Sequence, residues 1–214
     1  SLESDVYLKI DSPEEITLLD PACGSGHILV YAFELFAKIY EEEGYNEADI
    51  PKHIIEKNLH GFEIDERAAQ LSGFALMIKA REHQRRAFRK DLKPNVLCFQ
   101  DLQLNEDDVK GTLRSLDIQI TDELLNDILT LQHATNFGSL IIPNANCNEI
   151  HDVSESLSKF ANTADVFQRS AIDAITVAFN HLEQLSDKHH CVVLNPPYMG
   201  GANMNLALSE YVKG

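Results

Sequence analysis

The sequence predicts an α/β fold in which a parallel sheet is interrupted by a helical insertion before its fourth strand. Three observations lead there. Up to residue 99, short apolar runs that end on turn residues alternate with long helical patterns, the mark of right-handed strand–helix–strand crossovers. Between residues 104 and 188 the apolar positions keep helical spacing only. Residues 191–195, CVVLN, then return to a β-branched strand pattern. The expected strand order is 3-2-1-4. The expected organisation is 1–103 as the first part of the core, 104–188 as the insertion, and 189–214 as the fourth strand with the stretch that follows it.

Each element has its own reason. Residues 16–20, ITLLD, are a short apolar run after SPEE, punctuated by Pro21 and Gly24, and read as a buried strand. The stretch from His27 to Tyr40 is apolar on most sides and closes on EEEG, a long helix stopped at Gly44. Residues 58–65, NLHGFEID, read as the second strand. Asp65 can cap the following helix, ERAAQLSGFALMIKAREHQRRAFRK, whose basic end suits the helix dipole. Residues 95–99, NVLCF, are the third strand. In the insertion, TDELLNDILTLQ and ADVFQRSAIDAITVAFNHLEQL carry the helical spacing, separated by the Gly/Pro/Asn-rich FGSLIIPNANCNE.

The bulk properties exclude several classes. With 214 residues, 44% apolar and 24% charged, the chain has the composition of a globular protein with one sizeable core. No apolar run approaches the roughly 18 residues needed to span a bilayer, and SLESDVYLKI lacks the pattern of a signal peptide. The absence of an initiating Met reads as an excised fragment. Four widely spaced cysteines (Cys23, Cys98, Cys147, Cys191) without a C-x-x-C pair read as reduced and cytoplasmic. Cys147 and His151, with His189, His190 and Cys191, could in principle hold zinc, but their irregular spacing favours scattered thiols and surface histidines. The net charge of -16, from 18 basic and 34 acidic residues, repels phosphate backbones. By itself the chain does not look like a nucleic-acid binder.

The first strand runs into DPACGSGH. Gly24 and Gly26 let the backbone turn sharply and approach a ligand, and the next helix aims its first amides at that ligand. A dinucleotide site would have a third glycine where Leu29 stands. Asp20, at the strand end, suits a ligand with a cationic end better than a pyrophosphate. At the end of the second strand stand Glu63 and Asp65, and a carboxylate there can accept both hydroxyls of a ribose. They alternate to the same side, so spacing does not choose between them; Glu63 is preferred because Asp65 is placed to cap a helix. At the third strand's end Asp101 could accept from an adenine amino group, with Ile64 and Leu102 as apolar walls. The fourth strand ends in LNPPYMGG, which offers a carboxamide (Asn195), a rigid backbone with free carbonyls (Pro196, Pro197) and an aromatic plate (Tyr198). That set could grip a flat ring that bears an amino group.

Taken together, DPACGSG, GFEID, QDL and NPPY resemble the S-adenosylmethionine-dependent methyltransferases of Rossmann-like class I fold, and among them the amino-group DNA methyltransferases of adenine-N6 type. The ERAAQL helix and the NPPYMGGANMN ending look most like the large adenine-specific enzymes of BREX phage defence, with fused restriction–modification proteins as relatives. The likeness covers residues 12–102 and 189–205 well and the insertion loosely. It implies that residues 20–26, with Asp20, Ala22, Cys23, Gly24 and Gly26, line the methionine half of the cofactor. Glu63 would hold the ribose, and Asp101 the adenine, with Ile64 and Leu102 as its apolar walls. Asn195, Pro196, Pro197 and Tyr198 would form the catalytic stretch, with Asn195 Oδ1 and the Pro196 carbonyl accepting both amino hydrogens as positive charge builds on the nitrogen, and Tyr198 stacking on the flipped base.

The family continues into further strands and a recognition domain, so this chain is expected to meet DNA only through a domain it lacks. Alone, it is expected to fold, to bind S-adenosylmethionine weakly if at all, and to self-associate or be covered along the open edge of its fourth strand. Two other readings stay open from the residues. Glutamine-N5 methyltransferases of translation release factors also carry NPPY, although they have Leu-Gly-Thr after the first acid and lack the insertion. A non-catalytic scaffold is the other.

Overall fold

A computed structural model describes residues 9–160, 166–195 and 205–211. Its sheet has the expected order, β3-β2-β1-β4, with β1 at Leu18–Asp20, β2 at Leu59–Glu63, β3 at Asn95–Cys98 and β4 at Cys191–Val192. β1 pairs in parallel with β2 (Leu18 opposite Leu59, Asp20 opposite Gly61) and with β4 (Leu18 opposite Cys191, Leu19 opposite Val192). Among the described residues β4 is therefore an edge strand, and Val192 on it and Val193 and Leu194 after it are exposed. No helix among the described residues is long and apolar enough to cross a membrane.

The chain divides into two compact units. The first comprises Ser1–Phe62, Arg67–Val96 and His189–Asn195. Its core forms around α1 (His27–Glu42), whose Leu29, Phe33, Phe36 and Tyr40 recur on one face and are all buried. The helix stops where Gly44 takes φ +75° and the Tyr45 N–H returns to the Tyr40 carbonyl. A short α2 (Ile50–His53) runs on into a π-helical turn at Ile54–Asn58. Buried Asn58 ties this turn down, donating to the Pro13 and Ile16 carbonyls and accepting from the Tyr40 hydroxyl. Asn95 donates to the Ile55 and Glu56 carbonyls of the same turn. The helix expected to run to Lys90 ends earlier: α3 is Glu66–His83, after which a turn at Gln84 tucks Ala87 fully into the core. α1 and α3 are joined by Glu34, which pairs with Lys79 and His83.

The second unit comprises Glu63–Glu66, Leu97–Lys188 and Pro196–Gly214. It contains α4 (Glu106–Ser115), α5 (Asp122–Thr130), α6 (Ala134–Phe137), α7 (Cys147–Phe160), α8 (Val166–Ser186) and α9 (Leu206–Tyr211). The helical spacing of the insertion is thus realised as helices. Asn105 caps α4 by accepting from the Asp108 N–H, and Thr121 caps α5 by accepting from the Leu124 N–H. Leu113, Leu124, Ile128, Ile150, Leu157 and Phe179 fill the core. The Pro/Asn-rich connection is fixed by the buried carboxylate of Asp127, which accepts from the backbone N–H groups of Asn144 and Ala145, each at 2.8 Å.

Candidate functional site

In the first unit the glycine turn follows directly from β1. Asp20 is only 1% exposed, and its Oδ1 accepts from the Ala22 N–H at 3.1 Å. The Cys23 N–H donates to the Phe62 carbonyl, and the Gly26 N–H to the Cys23 carbonyl. Gly24 and Gly26 take φ +54° and +85°, a region that side chains with a Cβ enter only at a cost. The two glycines differ in kind. A Cβ at Gly24 would meet nothing within 4 Å, whereas one at Gly26 would lie 2.6 Å from the Ser72 Oγ of α3. Gly26 therefore serves both the turn and the closeness of α3, while Gly24 leaves open space above the turn. α1 starts at once with Gly26 as N-cap and no side-chain cap, so its first amides carry the partial positive charge of a helix start.

On β4 the Val193 N–H donates to the Leu19 carbonyl at 2.9 Å, and Asn195 follows two residues later, exposed. Asp20 and Asn195 thus leave neighbouring parallel strands at the same end. Ligands collect at that end of open parallel sheets.

In the second unit, Glu63 Oε1 accepts from its own Ile64 and Asp65 N–H groups at 2.8 and 3.0 Å, which sets the carboxylate's orientation. The Phe99 N–H donates to the Glu63 carbonyl, continuing the β2–β3 ladder beyond β3. Burial, and then the negative field of Glu66, Glu63 and Asp65, pushes the Cys98 thiol up from its ordinary value. Asp101 is held by the insertion: one carboxylate oxygen accepts from the Thr135 N–H and the other from the Thr135 hydroxyl, both at 2.8 Å. Of the two expected apolar walls, Ile64 is half exposed, and Leu102 is buried, its N–H donating to the Leu131 carbonyl.

Pro196, Pro197 and Tyr198 lie outside the described residues. Among the described residues no group of three His, Cys, Asp or Glu side chains gathers as a metal site. The donors that are present fit S-adenosylmethionine in kind. A buried acid and a left-handed glycine turn suit the amino-acid end, and carboxylates at the ends of β2 and β3 suit hydroxyl and amino groups.

Three contributors went unread in the sequence. Thr135 orients Asp101 from 34 positions away, and nothing periodic marks it. Ser72 sets the Gly26 contact. Gly61 lets Cys23 and Leu29 approach, because a Cβ there would lie 2.8 Å from Leu29 Cδ1 and 3.0 Å from Cys23 Sγ; a glycine inside a strand is the signal that could have found it.

Residues 9–213 match the family model described as MmeI, DNA-methyltransferase domain. The chain is 35% identical to the adenine-specific methyltransferase BrxX of Escherichia coli O9:H4 (strain HS), over 94% of its own length and 18% of the relative's. It is also 35% identical to the adenine-specific methyltransferase PglX of Lacticaseibacillus casei (strain Zhang), over 93% of its length and 17% of the relative's. It spans less than a fifth of either protein.

Proposed function

Since the chain belongs to the MmeI DNA-methyltransferase domain family, we propose that it forms part of an enzyme that methylates adenine N6 in DNA from S-adenosylmethionine, in restriction–modification or phage defence. The observation that carries this reading is the departure of Asp20 and Asn195 from adjacent parallel strands at one end of the sheet. The adenine specificity for which both relatives are named supports adenine as the base. The family match also runs through the insertion, which the release-factor alternative lacks.

S-adenosylmethionine, when bound, supplies an electrophilic methyl group. Residues 20–26 receive its methionine end, with Asp20 facing the cation. Glu63 serves the ribose, and Asp101, with Ile64 and Leu102 as apolar walls, serves the adenine. The nucleophile is a different adenine, whose N6 lone pair is delocalised into its ring. Asn195 Oδ1 and the Pro196 carbonyl accept its two hydrogens and bind more strongly as that nitrogen becomes positive, which lowers the barrier rather than tightening the ground state. Pro196 and Pro197 restrict the backbone so that the carbonyl stays aimed, and Tyr198 stacks on the extruded base. No covalent intermediate is involved.

We assign the grip on the duplex to a recognition region outside this chain. Several of its lysines are held by carboxylates, as in Lys79 with Glu34 and Glu82, Lys57 with Glu14 and Lys110 with Glu106, and acidic residues outnumber basic ones 34 to 18. The exposed edge of β4 supports pairing with further strands or with a second copy.

The test is product analysis. The complete protein is incubated with S-adenosylmethionine and either duplex DNA or release factor, and the products are digested and identified by mass spectrometry. N6-methyladenine is the expected product. Methylglutamine with unmodified DNA would overturn the reading.

A further inference from the structure

One short segment of the insertion, residues 131–138, touches each residue proposed for the adenine of the cofactor, all within the second unit. The Leu131 carbonyl accepts from the Leu102 N–H at 3.2 Å. Thr135 spans the carboxylate of Asp101: its N–H donates to Oδ1 and its hydroxyl to Oδ2, both at 2.8 Å. Gly138, at φ +52°, sits so close to Ile64 that a Cβ would lie 3.0 Å from its Cγ2. Leu131, Ala134 and Phe137 are buried, so packing anchors the segment while Thr135 reaches Asp101.

Two bonds to Asp101 do what one does not. A single donor leaves the carboxylate free to swing about that bond, whereas a donor on each oxygen fixes its plane. Each carboxylate oxygen accepts at about two positions, so one on each stays available to a ligand. The clamp orients the acid without using it up. Asp101 is exposed, and without the clamp a ligand would have to order it on binding, at roughly threefold to tenfold in affinity. A fixed acceptor also discriminates. It meets the hydrogens of an adenine amino group, and it gains nothing from a purine that lacks them.

We propose that Thr135 is a positioning residue for cofactor selection: by fixing both oxygens of Asp101 it makes the site prefer a purine that bears an amino group over one that does not. The inference rests on the proposed function, in which Asp101 accepts from that amino group. It gives the insertion a task in choosing the cofactor.

The experiment is calorimetric titration of the complete protein with two compounds, S-adenosylhomocysteine and its counterpart with hydrogen in place of the adenine amino group. The thermal midpoint checks folding. Thr135→Val keeps the shape and the backbone N–H but removes the hydroxyl. Its affinity for S-adenosylhomocysteine should fall roughly threefold to tenfold, with affinity for the desamino compound within about twofold of wild type. General loosening of the fold would weaken both compounds alike. Thr135→Ser, which retains the hydroxyl, should keep the wild-type preference. Asp101→Ala should abolish the preference, and adding Thr135→Val to it should change nothing further. Should Thr135→Val not fold, Thr135→Ala takes its place with the same expected outcome. An unchanged preference in the folded Thr135 variant, or an equal loss for both compounds, overturns the proposal alone. No preference in the wild type, or an unchanged one in Asp101→Ala, overturns the placing of adenine at Asp101 and this inference with it. Failure of the wild type to bind either compound overturns the functional reading.

Discussion

The glycine turn after β1 and the acid after β3 solve the same problem, placing a polar group at a strand end, by opposite means. At the turn most of the shaping bonds are local: Asp20 holds the Ala22 N–H, Cys23 receives from Gly26, and two left-handed glycines close the bend within seven residues of chain, with the Cys23 N–H tied to the Phe62 carbonyl of β2. After β3, Asp101 depends on Thr135, 34 positions later in a helical insertion. The first arrangement needs β1 and α1, with β2 and α3 packed against them. The second exists only if a separate packing problem, the core of the insertion, is solved first. A polar group at a strand end can therefore be placed mainly by a short motif or by remote packing, and this chain does both.

The comparison breaks most readily at Gly26. Alanine there meets a left-handed backbone and the Ser72 hydroxyl together, so Gly26→Ala should destabilise the chain by about 2–5 kcal/mol, summing backbone strain and overpacking. Gly24→Ala, with strain alone, should cost about 1–2 kcal/mol. Urea unfolding of the two variants reads the difference; equal losses would mean that α3 yields without resistance.

The remote arrangement is probed at Asp127. Asp127→Ala leaves the N–H groups of Asn144 and Ala145 without their acceptor, at an expected cost of about 2–4 kcal/mol. The loss should also loosen the backbone around Asp101 and Thr135 and leave the glycine turn intact, which hydrogen exchange resolves peptide by peptide. Uniform loss of protection across both units would show that they do not melt separately.

A smaller effect comes from pH. His181 is buried in α8, edge-on to Phe99, and burial lowers its pKa from the ordinary 6.5. The unfolded chain then binds a proton that the folded chain refuses, so stability is full above pH 6.5 and falls as pH drops below it, by at most about 1.4 kcal/mol per pH unit. His181→Leu should flatten that part of the profile. An unchanged slope would assign the titration elsewhere.

The smallest effect belongs to the first unit. The hydrogen bond from Lys79, and secondarily the charges of Lys79 and His83, hold the Glu34 carboxyl below its ordinary 4.5. Its contribution is therefore present above pH 4.5 and lost as pH falls through the lowered value. Because the pair is partly exposed, Glu34→Gln should cost under about 1 kcal/mol at neutral pH, and nothing once the carboxylate is protonated.

The sequence made the glycine turn, the β1 acid and the helical character of the insertion legible, because each rests on local periodicity or on a residue type that few conformations tolerate; the sheet order came with the fold that the motifs resemble. It did not reveal the π-helical turn at Ile54–Asn58, which is set by side-chain bonds from Asn58 and Asn95 to carbonyls far along the chain. Nor did it reveal the early end of α3, since Gln84–Arg86 are polar enough to continue a helix and only the burial of Ala87 decides against it. Asp101 was legible as a strand-end acid; its partner Thr135 was not, because a single hydrogen bond across two elements leaves no period.

The central claim is that Asn195 acts on the developing charge at adenine N6 and takes no part in holding the cofactor. The direct measurement is single-turnover methyl transfer by the complete protein carrying Asn195→Ala, alongside calorimetric titration of S-adenosylmethionine. The expected result is a loss of about a hundredfold in the chemical step with cofactor affinity within twofold of wild type. A near wild-type rate, or a loss that follows weakened cofactor binding, would contradict it.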